Sequence, residues 1–407
     1  MASDLTLDAA ESLLLDALRC AVHGRGLSPD QAPDGETLQR LICLAREQAV
    51  LPLLVQAAAD TGLFPDREHG AFREARLLTM GQAARTAEFL LLLRELEKRD
   101  LHPLVLKGMV CRALYPEPEQ RASADEDFLV ASEDYPAYRE ALFACGLRLR
   151  EPDTGWEEKD ELAFVDPSRN LCLELHFRPF SSDSAAIRDC NRYFESAQTR
   201  TTDLSVYGLP VRTLQPTEHL LFLLCHAYKH LFYSGLGVRQ LCDICLFAAR
   251  FPERIDWLAL RRSCGELEIE KLAAAIFRVG ERYLDLPMPA AFADPDVDEL
   301  PLLKDCLAAG VFGAEDPDRR HSSTLTLDAV AAAKQGRARR GLLPALFPSA
   351  RSIAHRFPYL RKRPWLLPVA WIRRAWLYAA EKKAGPAASL RIARERMELL
   401  KQYDLLS

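Results

Sequence analysis

The sequence predicts an α+β fold in which a small mixed sheet is enclosed by predominantly helical N- and C-terminal regions. Three observations predict it. Residues 8–100 carry apolar side chains at three- and four-residue spacing, and the same texture returns from Thr217 to about Leu286. Between them lie short apolar or alternating runs of strand length. Gly, Pro and Asp clusters punctuate the whole.

Taken in order, ESLLLDALRCAV, LQRLICLAREQAVLPLLVQAAADTG and ARLLTMGQAARTAEFLLLLRELEKRD read as helices. His102–Leu106 reads as a strand that runs through Lys107-Gly108 into a helix, MVCRALY, which Pro116 and Pro118 stop. Ala124–Val130 reads as a second strand and Tyr135–Cys145 as a helix. A hairpin follows, with strands Glu161–Val165 and Leu171–Phe177 and the turn Asp166-Pro167-Ser168-Arg169-Asn170. Pro287 and Pro289 end the second helical stretch, and Ala293–Ser323 reads as acidic and loop-rich. The expected regions are therefore a helical 1–100, a sheet-bearing 101–205, a helical 206–330 and a basic, aromatic-rich helical arm over 331–407.

Charge divides the 407 residues unevenly. The chain carries a net −5, yet from Ala331 onward 17 basic residues face 4 acidic ones, leaving +13 in the arm and −18 in the remainder. Such a split predicts an anionic partner for the arm, or an arm that docks back on the acidic body. Phe347, Phe357, Tyr359, Trp365, Trp371, Trp376 and Tyr378 lie among its arginines. That mixture suits nucleic acid or peripheral contact with an anionic membrane. The aromatics fall at helical spacing and the body is acidic, so the favoured expectation is a helical layer packed on the body, with its arginines beside the acidic surface. A helix over Trp365–Tyr378, interrupted near Pro368, is part of it.

Half of the residues are apolar, which excludes a disordered chain, and the apolar stretch Pro364–Ile372 is far short of the ~18 residues of a membrane span. The acidic, polar start is unlike a signal peptide, and 11 scattered cysteines suit reduced thiols. A cytoplasmic location is the expectation. Cys242-x-x-Cys245 lies within a helical apolar pattern without a matching second pair, so buried, inert thiols are expected there.

The chemistry-bearing residues concentrate in the strands. Asp125 and Asp127 are two apart and project from one face of a strand. Two adjacent carboxylates stay ionised cheaply only with positive charge between them, for which a divalent metal with oxygen ligands is the natural candidate. On Leu171–Phe177, Cys172, Glu174 and His176 share the polar face and Leu173, Leu175 and Phe177 the apolar one, so Glu174 supplies a third acid. Gly108 lets backbone approach a ligand, the helix start behind it offers N–H groups to phosphate, and Lys107 adds a point charge. Glu126 faces the opposite side of the strand from its neighbours and is costly there unless it meets solvent or an arginine, or unless the strand is an edge.

LKGMVCRALYPEPEQRASADEDFLV, LELHFRP, HLLFLLCHAYKHLF and GVRQLCDICLF occur in that order. Together they resemble the uncharacterised bacterial nucleotidyltransferase family, within the polymerase-beta-like nucleotidyltransferase superfamily. The resemblance implies a nucleotidyltransferase-like sheet and metal-dependent transfer of a nucleoside monophosphate from an NTP to an acceptor, small molecule or protein, releasing pyrophosphate. It implies Mg²⁺ or Mn²⁺ on Asp125, Asp127 and Glu174 as the catalytic carboxylates. Lys107 and Gly108 match the phosphate-side turn. Arg121, Ser123, His176, His226, Lys229, His230 and Arg239 complete the expected nucleotide-binding set, with the helix of Tyr228 and Lys229 as a wall of the cleft. Three departures stand out: Met109 where the superfamily has Ser or Gly, Glu126 where it has an apolar residue, and Glu174 where Asp is commoner.

Met109 and Glu126 sustain a second reading, a catalytically weak nucleotide-binding module with a regulatory role. A third is a zinc-dependent hydrolase: His219, His226 and His230 lie along one helical face, and Asp243 of the next helix could join His226 and His230 as ligand. Arg239 and Asp243, four apart, could equally form a local ion pair.

Overall fold

The computed structural model describes residues 5–28, 33–59, 61–64, 70–182, 184, 187–233, 235–310, 350, 353, 357, 359–380 and 386–405. Four helices come first: α1 (Ala9–Val22), α2 (Gly35–Glu47), α3 (Leu51–Ala57) and α4 (Gly70–Glu97). Asp8 and Glu11 start α1 by exchanging hydrogen bonds, each side chain accepting from the other's backbone N–H at 2.8 Å. The helical run predicted across residues 38–62 is two helices, because Ala49 adopts φ 53° between them.

The sheet follows. Its strands are β1 (Leu104–Val105), β2 (Glu126–Leu129), β3 (Arg148–Leu149), β4 (Glu161–Asp166) and β5 (Leu171–His176), in the order β1-β2-β5-β4-β3. Only β2 and β5 run parallel; the other pairs are antiparallel, so the sheet is mixed as expected. Helix α5 (Lys107–Arg112) links β1 to β2, and α6 (Tyr135–Ala144) links β2 to β3. The turn before β5 is built by Asp166, whose carboxylate accepts the Ser168 N–H at 3.0 Å, and by Asn170 at φ 51°. Register is thereby set for the strand that carries Glu174 and His176.

Leu162, Phe164, Leu173, Leu175 and Phe128 fill one face of the sheet and are almost wholly buried. Phe128 meets Phe89 of α4 with ring centroids 5.4 Å apart. The opposite face bears Asp127, Glu174, His176 and Glu161.

A second, two-stranded sheet, absent from the sequence reading, joins β6 (Thr201–Val206) to β7 (Leu209–Leu214). Helices α7 (Pro216–Tyr233), α8 (Val238–Arg250), α9 (Trp257–Glu266) and α10 (Glu270–Leu284) then supply the helical stretch expected from Thr217. Within the segment read as loop-rich lies a further helix, α11 (Leu300–Ala309), whose Leu302, Leu303, Cys306 and Leu307 are buried. The N- and C-terminal helices share one contiguous core. Gln48 donates to the carbonyls of Cys306 and Leu307, and Lys304 pairs with Glu11 at 2.7 Å.

Two parts of the arm behave differently. Helix Pro386–Gln402 and the residues after it return to the body, where Leu399, Leu400, Tyr403 and Leu405 join the main core and buried Arg396 donates to the Leu231 carbonyl. Helix Leu367–Ala380 instead packs Leu367, Ala370 and Trp371 on Ile353, Phe357 and Leu360, a separate small cluster. Its Val369 and Ile372, with Trp365 just before it, are exposed, and Pro368 sits in its first turn rather than interrupting it. Phe347 and the side chains of Trp376 and Tyr378 lie outside the described residues. No helix among the described residues is long and apolar enough to cross a membrane. All eleven cysteines are free thiols, and burial pushes Cys245 up to about 12, as expected of an inert core thiol.

Candidate active site

Parallel pairing of β2 with β5 sets Asp127 directly beside Glu174, and antiparallel pairing of β4 with β5 sets Glu161 beside His176. Strand periodicity turns all four toward one face. His176 Nε2 lies 3.0 Å from Asp127 Oδ1 and 3.6 Å from Glu174 Oε2, while its Nδ1 lies 3.3 Å from Glu161 Oε2. Asp127 is fully buried, His176 nearly so, and Glu174 is half-buried.

Lys107 provides the second cation. It leaves the end of β1 at the start of α5, and its Nζ sits 2.9 Å from Asp127 Oδ2 and 3.7 Å from Asp125 Oδ2. Asp125, just outside β2, is more exposed than Asp127. The carboxylates Asp125, Asp127 and Glu174 therefore surround Lys107 and His176, the positive charge that their proximity demands.

Electrostatics follow from this arrangement. Burial opposes protonation of His176, yet hydrogen bonds to Asp127 and Glu174 raise its pKa to about 9. Burial likewise opposes the Lys107 charge, but Asp127, Asp125 and Glu174 hold its pKa above the usual lysine value. For Asp127 burial favours the neutral acid; Lys107 and His176 outweigh it and keep the carboxyl below the usual aspartate range. The hydrogen bond with His176 lowers Glu174 in the same way, against burial and Asp125.

The residues fit a divalent cation. Asp127, Glu174 and His176 each offer one ligand atom, all within 4.8 Å of one another, the one such group of three among the described residues. Asp127 Oδ2 is buried without a well-formed hydrogen bond, its ion-pair contact with Lys107 apart. A dense carboxylate face whose charge is met by side-chain cations offers oxygen ligands of the kind a divalent metal takes.

Gly108 and Glu126 belong to the other side of the sheet. Glu126 is fully buried in an interior strand, so neither solvent nor a sheet edge accommodates it; it pairs with buried Arg112 of α5. Glu126 Oε2 also accepts the Met109 N–H at 2.9 Å, so that amide at the helix start is engaged by protein. Gly108 makes this possible with a kink at φ 10°, ψ −100°.

Arg121 and Ser123 stand apart from the acidic cluster. Arg121 is buried against Asp243, with Nη2 2.5 Å from Oδ2 and Nε 3.1 Å from Oδ1, and Tyr115 donates to the same carboxylate at 2.9 Å. Asp243 is thus taken up by Arg121 rather than by Arg239, and it forms no metal-ligating group with His226 and His230, which removes the third zinc ligand. Ser123 accepts from Arg112 at 2.7 Å and donates its N–H to Gln82 at 2.8 Å. Arg239 donates to the Ala122 carbonyl.

His226 and His230 on α7 contact each other at 3.2 Å. Burial keeps His226 below its ordinary pKa and takes His230 to about 3, with Lys107 adding to both effects. Lys229, on the same stretch of α7, is half-buried. His219 lies deeper, fully buried, with Nδ1 3.0 Å from the Thr213 hydroxyl.

The sequence reading missed Glu161 and Arg112. Glu161 was not accessible, because the predicted five-residue turn pairs Val165 with Leu171 and so Glu161 with Leu175, whereas Asp166 itself pairs with Leu171 and sets Glu161 beside His176. Arg112 had no signal either.

Residues 34–285 match the family described as "uncharacterised nucleotidyltransferase". No curated protein and no solved structure matches the chain.

Proposed function

Because the chain belongs to the uncharacterised nucleotidyltransferase family, we propose that it moves a nucleoside monophosphate from an NTP to an acceptor hydroxyl in a reaction that needs Mg²⁺ or Mn²⁺. The observation that carries this is the pairing of Asp127 with Glu174 on adjacent parallel strands, beside Lys107. Asp125, Asp127 and Glu174 would hold the cation. When bound, it neutralises charge on the triphosphate and on the leaving pyrophosphate.

The chain's own residues do the rest. Glu174, more exposed than Asp127, takes the proton of the acceptor hydroxyl. The acceptor oxygen bonds to the α-phosphorus as the bond to pyrophosphate breaks. Lys107, released from Asp127, meets the triphosphate, and Lys229 and Arg239 add positive charge beside it. Neutral His226 and His230 can hydrogen-bond the nucleotide without adding charge. The acceptor is a small molecule or a protein, and the free thiols suit a reducing cytoplasm.

One observation favours the alternative of a binding module. The Met109 N–H, at the turn expected to face phosphate, is already satisfied by Glu126. Incubation with α-labelled NTPs, Mg²⁺ and cell extract separates the two. Label appearing on an acceptor, with pyrophosphate released, supports the enzyme; NTP bound with neither product contradicts it and supports the module.

A further inference from the structure

Resting on the reading of this face as a cation site, we infer that His176 is itself a metal ligand, oriented by Glu161, and that its nitrogen adapts the site to a first-row divalent ion over Mg²⁺. The sequence pattern suggested three carboxylates. The group that the strands bring together is instead Asp127, Glu174 and His176, without Asp125. Ligands that share an ion at about 2.1 Å lie roughly 3–4 Å from one another. His176 Nε2 meets that condition with both carboxylates, at 3.0 Å from Asp127 and 3.6 Å from Glu174.

The rest of the histidine's surroundings agree. A ligating imidazole usually directs its second nitrogen at a carboxylate, which fixes the ring and strengthens the donor. Glu161 Oε2 is the carboxylate oxygen beside that nitrogen, 3.3 Å from Nδ1 without a well-formed hydrogen bond, and the β4–β5 register put it within reach of one. His176 is 5% exposed, so the ring is held by its surroundings rather than swinging in solvent. Asp127 divides its oxygens: Oδ1 faces His176 and Oδ2 faces Lys107. A cation bound between Oδ1, Glu174 and Nε2 takes the place of the Nε2 proton, which passes to solvent, and leaves Lys107 paired with the other oxygen until the anionic substrate draws it away. Mg²⁺ keeps to oxygen ligands and water, whereas imidazole nitrogen suits first-row transition ions.

Mn²⁺ bound to the full-length protein, with and without a non-hydrolysable NTP analogue, tests this by electron spin echo spectroscopy. The expected result is modulation from a directly bound ¹⁴N that converts to the ¹⁵N pattern when the protein carries ¹⁵N-histidine. That readout needs no mutation. The signal disappears in His176→Gln, with Mn²⁺ affinity at least about tenfold weaker and less advantage over Mg²⁺, and Glu161→Gln weakens Mn²⁺ about tenfold while keeping the signal. Bound Mn²⁺ without nitrogen coupling overturns the inference and leaves the carboxylate reading of the function standing. Failure of the wild-type protein to hold Mn²⁺ in either condition overturns both.

Discussion

Gly108 and Glu126 are shaped for each other: a β-carbon on residue 108 would overlap the Glu126 carboxylate and lie 3.2 Å from its carboxyl carbon. The glycine at the strand-to-helix turn is thus required by a buried acid of the protein. Gly108→Ala should displace Glu126 from the Met109 amide and cost about 1–3 kcal/mol, the usual range for overpacking. Urea unfolding of Gly108→Ala, Glu126→Ala and the double variant checks it. The pair should be strongly non-additive; additive losses would contradict the fit.

Glu126 and Arg112 form an ion pair in which both side chains are buried. Arg112 also donates to Thr86 at 3.0 Å and to Ser123 at 2.7 Å, so its loss leaves several groups unpaired. Arg112→Met should destabilise the protein by about 3–5 kcal/mol, because a lone buried carboxylate remains. Adding Glu126→Gln should recover a large part of that loss in thermal unfolding. No recovery would mean that Arg112 acts mainly through packing.

Buried His219 predicts acid lability. Burial lowers its pKa to about 3, against about 6.5 in the unfolded chain. Above pH 6.5 both states hold it neutral and it adds no pH dependence. As pH falls from 6.5 towards 3 the unfolded state alone takes the proton, so stability declines by up to about 1.4 kcal/mol per pH unit. Urea midpoints between pH 7.5 and 5 should fall less steeply for His219→Leu than for wild type. Equal slopes would refute the assignment.

The arm divides into a structural end and an exposed middle. Tyr403 is 1% exposed; its hydroxyl donates to the Asp298 carbonyl at 2.7 Å and accepts the Leu302 N–H at 3.3 Å. Tyr403→Ala should cost about 3–5 kcal/mol. Trp365, 71% exposed, should change stability by less than about 0.5 kcal/mol when replaced by Ala. Calorimetry of the two variants distinguishes them, and equal losses would contradict the division.

The site was legible where one strand's periodicity decided the matter. Asp127 on one face of β2, and Glu174 with His176 on one face of β5, follow from alternation alone. Pairing between strands was less accessible, since their order and direction depend on how the whole chain packs. The Arg112–Glu126 pair needed the phase of α5 against β2, a tertiary quantity. The β6–β7 hairpin escaped because its turn, Tyr207-Gly208, carries a non-glycine residue at φ 51° where Asn or Asp is the usual signal. Ala49 hid the break between α2 and α3 in the same way.

Asp127 touches both Lys107 and His176, and the account of function depends on it more than on any other residue. The most direct measurement is pyrophosphate release from NTP, with Mg²⁺ or Mn²⁺ and cell extract, by wild type and Asp127→Asn protein of matched circular dichroism. The account predicts metal-dependent release by the wild type and a loss of at least about a thousandfold in the variant. Undiminished release by Asp127→Asn would contradict it.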